Sequence, residues 1–365
     1  MLTQFKTSIF MLMLLPGLTF GDCDPGTGGL FDPLAAIGMD DLREAYDTND
    51  GVSDDIFIKD LCYGDDPLNK FDIYYPEVSG FRVFNDMSEV TEQYGLMPLI
   101  IFIHGGSFTS GDKGENVKTN EIEEALEGGA AYATINYRLL AVDGTETLGV
   151  KKALDDSMRA LQYIRYHAAE LNIDPMRIAV YGGSAGATTS LFIAFGDDRA
   201  DITSNDAIAK QSTRVSAVAA RSAQASLDVD VWESDVFVDF GLTVDELLDE
   251  NEQLKSLAIA LYGIDSIESL DQEGVMEYRD KVDVLPMISS DDPPVWLEAT
   301  QAATEPGVLD TGHIFHHPHH SREVWERVSD MGIQNVANIP DVGLHSNIGR
   351  IPFLLNFLEA PLLEE

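Results

Sequence analysis

The run Tyr181-Gly182-Gly183-Ser184-Ala185-Gly186 sets one hydroxyl among glycines, after a β-branched stretch and before a small-residue helix. A nucleophile on a tight strand-to-helix turn strains the backbone, and neighbours bearing Cβ atoms would collide there. Such a turn holds the hydroxyl clear of a sheet with a helix N-terminus behind it, so Ser184 is the candidate nucleophile. A second run, His104-Gly105-Gly106-Ser107-Phe108, directly follows the apolar stretch Leu99 to Ile103. Glycines at that place let main-chain N–H groups approach a substrate oxygen. The N–H groups of Gly105, Gly106 and Ala185 together form a candidate oxyanion hole, in which the loss of one donor costs about 3 kcal/mol of transition-state stabilisation. His104 reads as an anchor of this loop rather than as a base.

The elements that must position these groups alternate. Phe71 to Tyr75, Leu99 to Ile103, Ala131 to Tyr137, Arg177 to Tyr181, Val215 to Ala220, Pro294 to Leu297 and Ile333 to Ile339 read as strands. Residues 148–171 carry helical periodicity, and a small-residue helix runs from Ala185 to about Phe195. This alternation implies a mostly parallel sheet covered on both faces. Residues 226–253 hold ten acidic side chains and no basic one; with the stretch to about 290 they interrupt the alternation as a helical insertion or partial cap. Their charge reads as a solvated face.

The chain has 365 residues, 63 of them acidic and 23 basic, a formal charge of −40. That excess repels phosphate backbones and anionic membrane surfaces, which excludes nucleic-acid binding, and it fits a saline habitat. Residues 1–21 read as a secretory signal, with Lys6 ahead of the apolar run Ile9 to Phe20, and Thr19 and Gly21 before a cleavage site. The run is too short for a membrane span, and Asp22 before Cys23 is wrong for lipid attachment. A secreted or periplasmic chain is expected, with residues 22–60 as an N-terminal extension and 61–365 as one domain. Cys23 and Cys62, the only cysteines, suggest one disulfide in an oxidising compartment. Asp47-Thr48-Asn49-Asp50-Gly51 reads as a turn, since its glycine comes one place too early for a calcium-binding loop and no twelfth-position Glu follows.

The set "FDIYYPE", "PLIIFIHGGSF", "INYRLL", "IDPMRIAVYGGSAGA" and a late "GLH" resembles the α/β-hydrolase esterases over residues 58–357. It is most similar to their carboxylesterase and hormone-sensitive-lipase-like branch, which includes small bacterial feruloyl and acetyl-xylan esterases. The resemblance implies the α/β-hydrolase fold and hydrolysis of a carboxylic ester by a Ser–His–acid triad, with neither metal nor cofactor. Ser107 departs from it, standing where many members have a third glycine.

On that resemblance the base comes after the last strand, which points to His345. The acid follows the preceding strand, where no compact Asp turn is found; Asp310 is the first choice, with Glu305, Glu298 and Asp228 as alternatives. Asp291 and Asp292 precede that strand and lie at the wrong end of the sheet. His313, His316, His317, His319 and His320 are five of the eight histidines. Pro318 breaks any regular ligand spacing among them, so a structural or substrate-rim role is expected before a metal site. The rivals to an esterase are a peptidase or lipase of the same fold and a catalytically silent binding module.

Overall fold

The computed structural model describes residues 56–76, 95–115 and 117–359. Its eight strands are β1 (Ile56–Cys62), β2 (Lys70–Tyr75), β3 (Met97–Ile103), β4 (Ala131–Ile135), β5 (Ile173–Gly183), β6 (Val218–Arg221), β7 (Val295–Glu298) and β8 (Asn335–Asn338). They form one sheet in the order β1-β2-β4-β3-β5-β6-β7-β8. The β1–β2 and β2–β4 pairs are antiparallel and the remainder parallel. This is the mostly parallel sheet that the alternation implied. Strand β1 was not foreseen: it lies largely inside the segment read as an extension and pairs with β2.

Each central strand is apolar on both sides because both faces are covered. Leu99, Ile101 and Ile103 of β3 join one core, while Ile100 and Phe102 join the other. Helices α1 (Thr119–Glu127) and α9 (Arg350–Leu358) cover the second core, and α2 (Lys151–Tyr166) and α3 (Ala185–Phe195) the first. Helix α2 is shorter than the periodicity predicts at both ends: Gly149, at φ +66°, precedes its start, and the chain leaves the helix as turns after Tyr166.

The segment read as an insertion supplies α4 (Val244–Glu250), α5 (Glu252–Tyr262) and α6 (Glu273–Val282). Thr243 and Glu246 cap α4 reciprocally. Buried Arg279 of α6 pairs with Asp228 and Asp230, tying the insertion to the connection that leaves β6. Two further helices, α7 (Thr311–His316) and α8 (Pro318–Asp330), connect β7 to β8. The signal segment, the calcium-loop-like turn at 47–51 and Cys23 lie outside the described residues, so the expected Cys23–Cys62 bridge has one member outside them.

Candidate active site

Ser184 occupies the turn between β5 and α3 with φ +54° and ψ −125°, a conformation that side chains other than glycine rarely hold. The turn is possible because its neighbours have no Cβ. On Gly186 a Cβ would strike the Ile103 and His104 carbonyl oxygens, and on Gly182 it would strike the backbone of Gly186. The Ser184 N–H donates to the Arg221 carbonyl at 2.9 Å, which fixes the turn to the end of β6. The price of the strained turn is offset by these close backbone contacts.

The loop after β3 faces this turn: a Cβ on Gly105 would stand 2.7 Å from the Gly183 carbonyl oxygen and 3.3 Å from the Ser184 Cβ. Among the described residues the N–H groups of Gly105 and Gly106 have no backbone acceptor, and Ala185, the first residue of α3, brings an unpaired helix N-terminal N–H. The loop is held from beneath. His104 is buried, stacks on Tyr137 at 4.3 Å between ring centres and has its Nδ1 2.7 Å from the Gly105 carbonyl, the anchoring role expected of it. Leu140 donates its N–H to the Phe108 carbonyl at 2.7 Å, and buried Lys113 pairs with Asp72.

The imidazole on Ser184 belongs to His316. Its Nε2 lies 2.8 Å from the Ser184 Oγ. The Gly312 carbonyl, one helical turn back in α7, acts on the same ring and favours its protonated form. A proton kept on Nδ1 leaves Nε2 free to accept the serine proton. Burial first, and the Arg221 guanidinium second, hold the His316 ring below its ordinary pKa; the Gly312 carbonyl acts in the opposite sense.

This corrects the expectation for His345. That residue is exposed in the connection between β8 and α9 and is not hydrogen-bonded to Ser184. Nor does any of the carboxylates weighed as the acid meet the base. Asp310 is exposed and caps α7, accepting the His313 N–H at 3.0 Å, so it shapes the helix that carries His316 without touching the ring. Glu305 is exposed; Glu298 lies 3.6 Å from Arg350 and accepts from Asn338; Asp228 is held by Arg279. Among the described residues no carboxylate is in hydrogen-bond or ion-pair range of His316.

The other imidazoles of the cluster are spent on main-chain carbonyls. His313 lies 2.7 Å from the Ala302 carbonyl, His317 3.1 Å from that of Thr304, His319 3.0 Å from that of Val236 and His320 3.0 Å from that of Ile314. They fasten the loop bearing α7 rather than share a metal position. Gln224, which the sequence did not single out, does similar work. Its side chain donates to the Phe315 carbonyl at 2.8 Å and accepts from Thr188 of α3 at 3.1 Å, joining the nucleophile helix to the residue before His316.

Beside Ser184 lies a narrow apolar pocket of about 10 Å³, walled by Phe108, Leu227, Trp232, Leu257, Leu261 and Phe315. Leu257 and Leu261 come from α5, so the insertion closes one side of it. About one water-sized group fits such a space.

The family model described as BD-FAE matches residues 86–247. Curated relatives include carboxylesterase patB of Aspergillus clavatus, 29% identical over 43% of this chain and 30% of its own length. Lipase 1 of Geotrichum candidum is 28% identical over 48% of this chain and 30% of its own. Acetylcholinesterase-1 of Trittame loki is 32% identical over 28% of this chain and 19% of its own. The matches thus span less than a third of the length of these relatives. Among solved structures, a truncated carbohydrate esterase from gut microbiota superposes with a TM-score of 0.55 at 17% identity, covering 85% of this chain and 97% of that one. A bifunctional protein of Bacteroides eggerthii reaches 0.56 at 17% identity over 83% of this chain and 37% of its own. At these identities the structural likeness establishes the fold.

Proposed function

On the premise that this chain is an α/β-hydrolase similar in sequence to esterases, we propose that it is a serine carboxylic-ester hydrolase acting through an acyl-enzyme. The observation that carries the reading is the Ser184 Oγ, 2.8 Å from His316 Nε2 on a strained turn facing two free main-chain N–H groups. Ser184 attacks the ester carbonyl as its proton passes to His316 Nε2. The N–H groups of Gly105, Gly106 and Ala185 receive the developing oxyanion. His316 returns the proton to the alkoxide as it leaves, and water deacylates the serine through the same imidazole. The Gly312 carbonyl does the orienting that a carboxylate does in most such sites.

The narrow pocket beside Ser184 supports acetyl as the preferred acyl group, because each further methylene must displace packed side chains. The alcohol part is then a sugar or a polymer fragment outside the cell, in keeping with the signal segment read at residues 1–21 and with the likeness in fold to the gut carbohydrate esterase. The test is hydrolysis of 4-nitrophenyl acetate and butyrate by the mature chain beside Ser184→Ala. Acetate turnover above butyrate, abolished by the substitution, is the expected result. A folded wild-type protein inert to both esters and unlabelled by a fluorophosphonate would place it among silent binding modules instead.

A further inference from the structure

Arg221 ends β6 beside the nucleophile turn, where its carbonyl oxygen accepts the Ser184 N–H. Its guanidinium lies over Gly183, where a Cβ would meet Nη2 at 3.6 Å and Nε at 3.8 Å. Gly183 shares a face with Tyr181, two residues earlier on the strand, and Tyr181 belongs to the core covered by α1 and α9. The acyl pocket is walled by Phe108, Leu227, Trp232 and Phe315, all of the opposite core. Arg221 therefore flanks Ser184 from the side away from the acyl group, where the alcohol part of an ester must lie.

Three cations and two carboxylates meet at this edge. Arg350 pairs with Glu121 and lies 3.6 Å from Glu298, and Lys118 lies 3.6 Å from Glu121. Arg221 is half-buried and, among the described residues, has no side-chain hydrogen bond or ion pair. In a chain with 63 acids for 23 bases, a guanidinium with no carboxylate among the described residues is not a matter of supply. Its charge also opposes protonation of His316, the step that serine attack requires. An anion at Arg221 would offset that opposition as the substrate binds.

We propose that Arg221 is a carboxylate subsite, and that the ester cleaved at Ser184 carries an acid group on its alcohol part, as an O-acetylated uronic acid does. A guanidinium takes a carboxylate through two parallel hydrogen bonds, which sets the orientation of the alcohol as well as its affinity.

The inference rests on the esterase reading, and the experiment separates the two. The kcat/KM values for mono-O-acetyl galacturonate and mono-O-acetyl galactose are compared at low salt and at 1 M NaCl, in the wild type and in R221Q. The expected preference for the uronate is about tenfold at low salt, ~1.4 kcal/mol. It shrinks toward parity at 1 M, where screening acts within about 3 Å, and it is lost in R221Q. The salt series needs no variant, so misfolding of R221Q cannot produce the result. Equal rates on the two sugars in the wild type would overturn the subsite and leave the esterase standing, as would a preference that persists in a folded R221Q. Failure to hydrolyse either sugar ester or 4-nitrophenyl acetate would overturn the esterase reading and the subsite with it.

Discussion

Replacing His316 by alanine removes the acceptor 2.8 Å from the Ser184 Oγ, and the structure offers no substitute: among the described residues no other side chain is hydrogen-bonded to that hydroxyl. General-base assistance contributes roughly 10²–10⁴-fold. The upper end applies because one ring serves both the attack and the protonation of the leaving alkoxide. A loss of about 10⁴ in kcat is expected, ~5 kcal/mol of transition-state stabilisation. His345→Ala, made beside it, should stay within about twofold of the wild type, since its side chain is exposed in a connecting loop. The assay is steady-state hydrolysis of 4-nitrophenyl acetate, with thermal unfolding to show that both variants fold and with added imidazole to restore part of the His316→Ala rate. The pH profile adds an independent arm. Burial and the Arg221 charge hold the His316 ring below its ordinary value of about 6.5, and the base works only when neutral. The acid limb of kcat/KM should therefore fall below that value rather than at it. A collapse of activity in His345→Ala, with His316→Ala still active, would refute the assignment.

Gln224→Leu leaves the Phe315 carbonyl without its donor in a buried setting, which costs about 1–3 kcal/mol in thermal or denaturant unfolding. It also frees the residue before His316, and an ångström of misplacement costs about 10²-fold, so kcat should drop more than KM changes. Burial, chiefly, lowers the pKa of His317 to about 4 and that of His320 to about 3. Both lie below the unfolded value of about 6.5, so their stabilisation is complete above that pH. It is lost as pH falls toward 4 and then 3, at about 1 kcal/mol per pH unit for each ring. Urea unfolding between pH 7 and 4 measures this slope, and a flat profile would count against two buried neutral rings.

The sheet was largely legible because its central strands are buried on both faces and so read as apolar runs; β3 and residues 178–181 of β5 are the clearest. Edges were harder. Strand β1 has its own apolar residues, but it follows a stretch bearing Gly51, Asp54 and Asp55 and was read largely as part of an extension. Its assignment as a strand depends on partners in β2 that no local pattern reveals. Strand β8 pairs with β7 over four residues, half of them asparagine, and is shorter than the Ile333 to Ile339 stretch read as a strand. The two glycine turns were legible for a different reason. Both need backbone without Cβ atoms, a requirement written directly in residue types.

The sequence pointed to His345, whereas the imidazole on Ser184 is that of His316, because chain order was taken as a guide to space. A position after the last strand is a convention of connectivity, whereas the chemistry asks only that an imidazole nitrogen reach the serine, and this constellation recurs with its members in different orders. Here α7 delivers the ring from between β7 and β8. In the sequence these surroundings showed as a histidine cluster read as structural or rim-forming and as Asp310 weighed as the acid, while Gln224 was not singled out. His317, His319 and His320 hold backbone carbonyls, Asp310 caps the helix, and Gln224 ties it to α3. Four histidines beside His316 are thus held on main-chain carbonyls and fasten the segment that carries the imidazole on Ser184. The same fastening explains how a main-chain carbonyl can orient the ring. A side-chain carboxylate must be held in place before it can hold anything else, while the Gly312 carbonyl is placed by the helix that already carries His316.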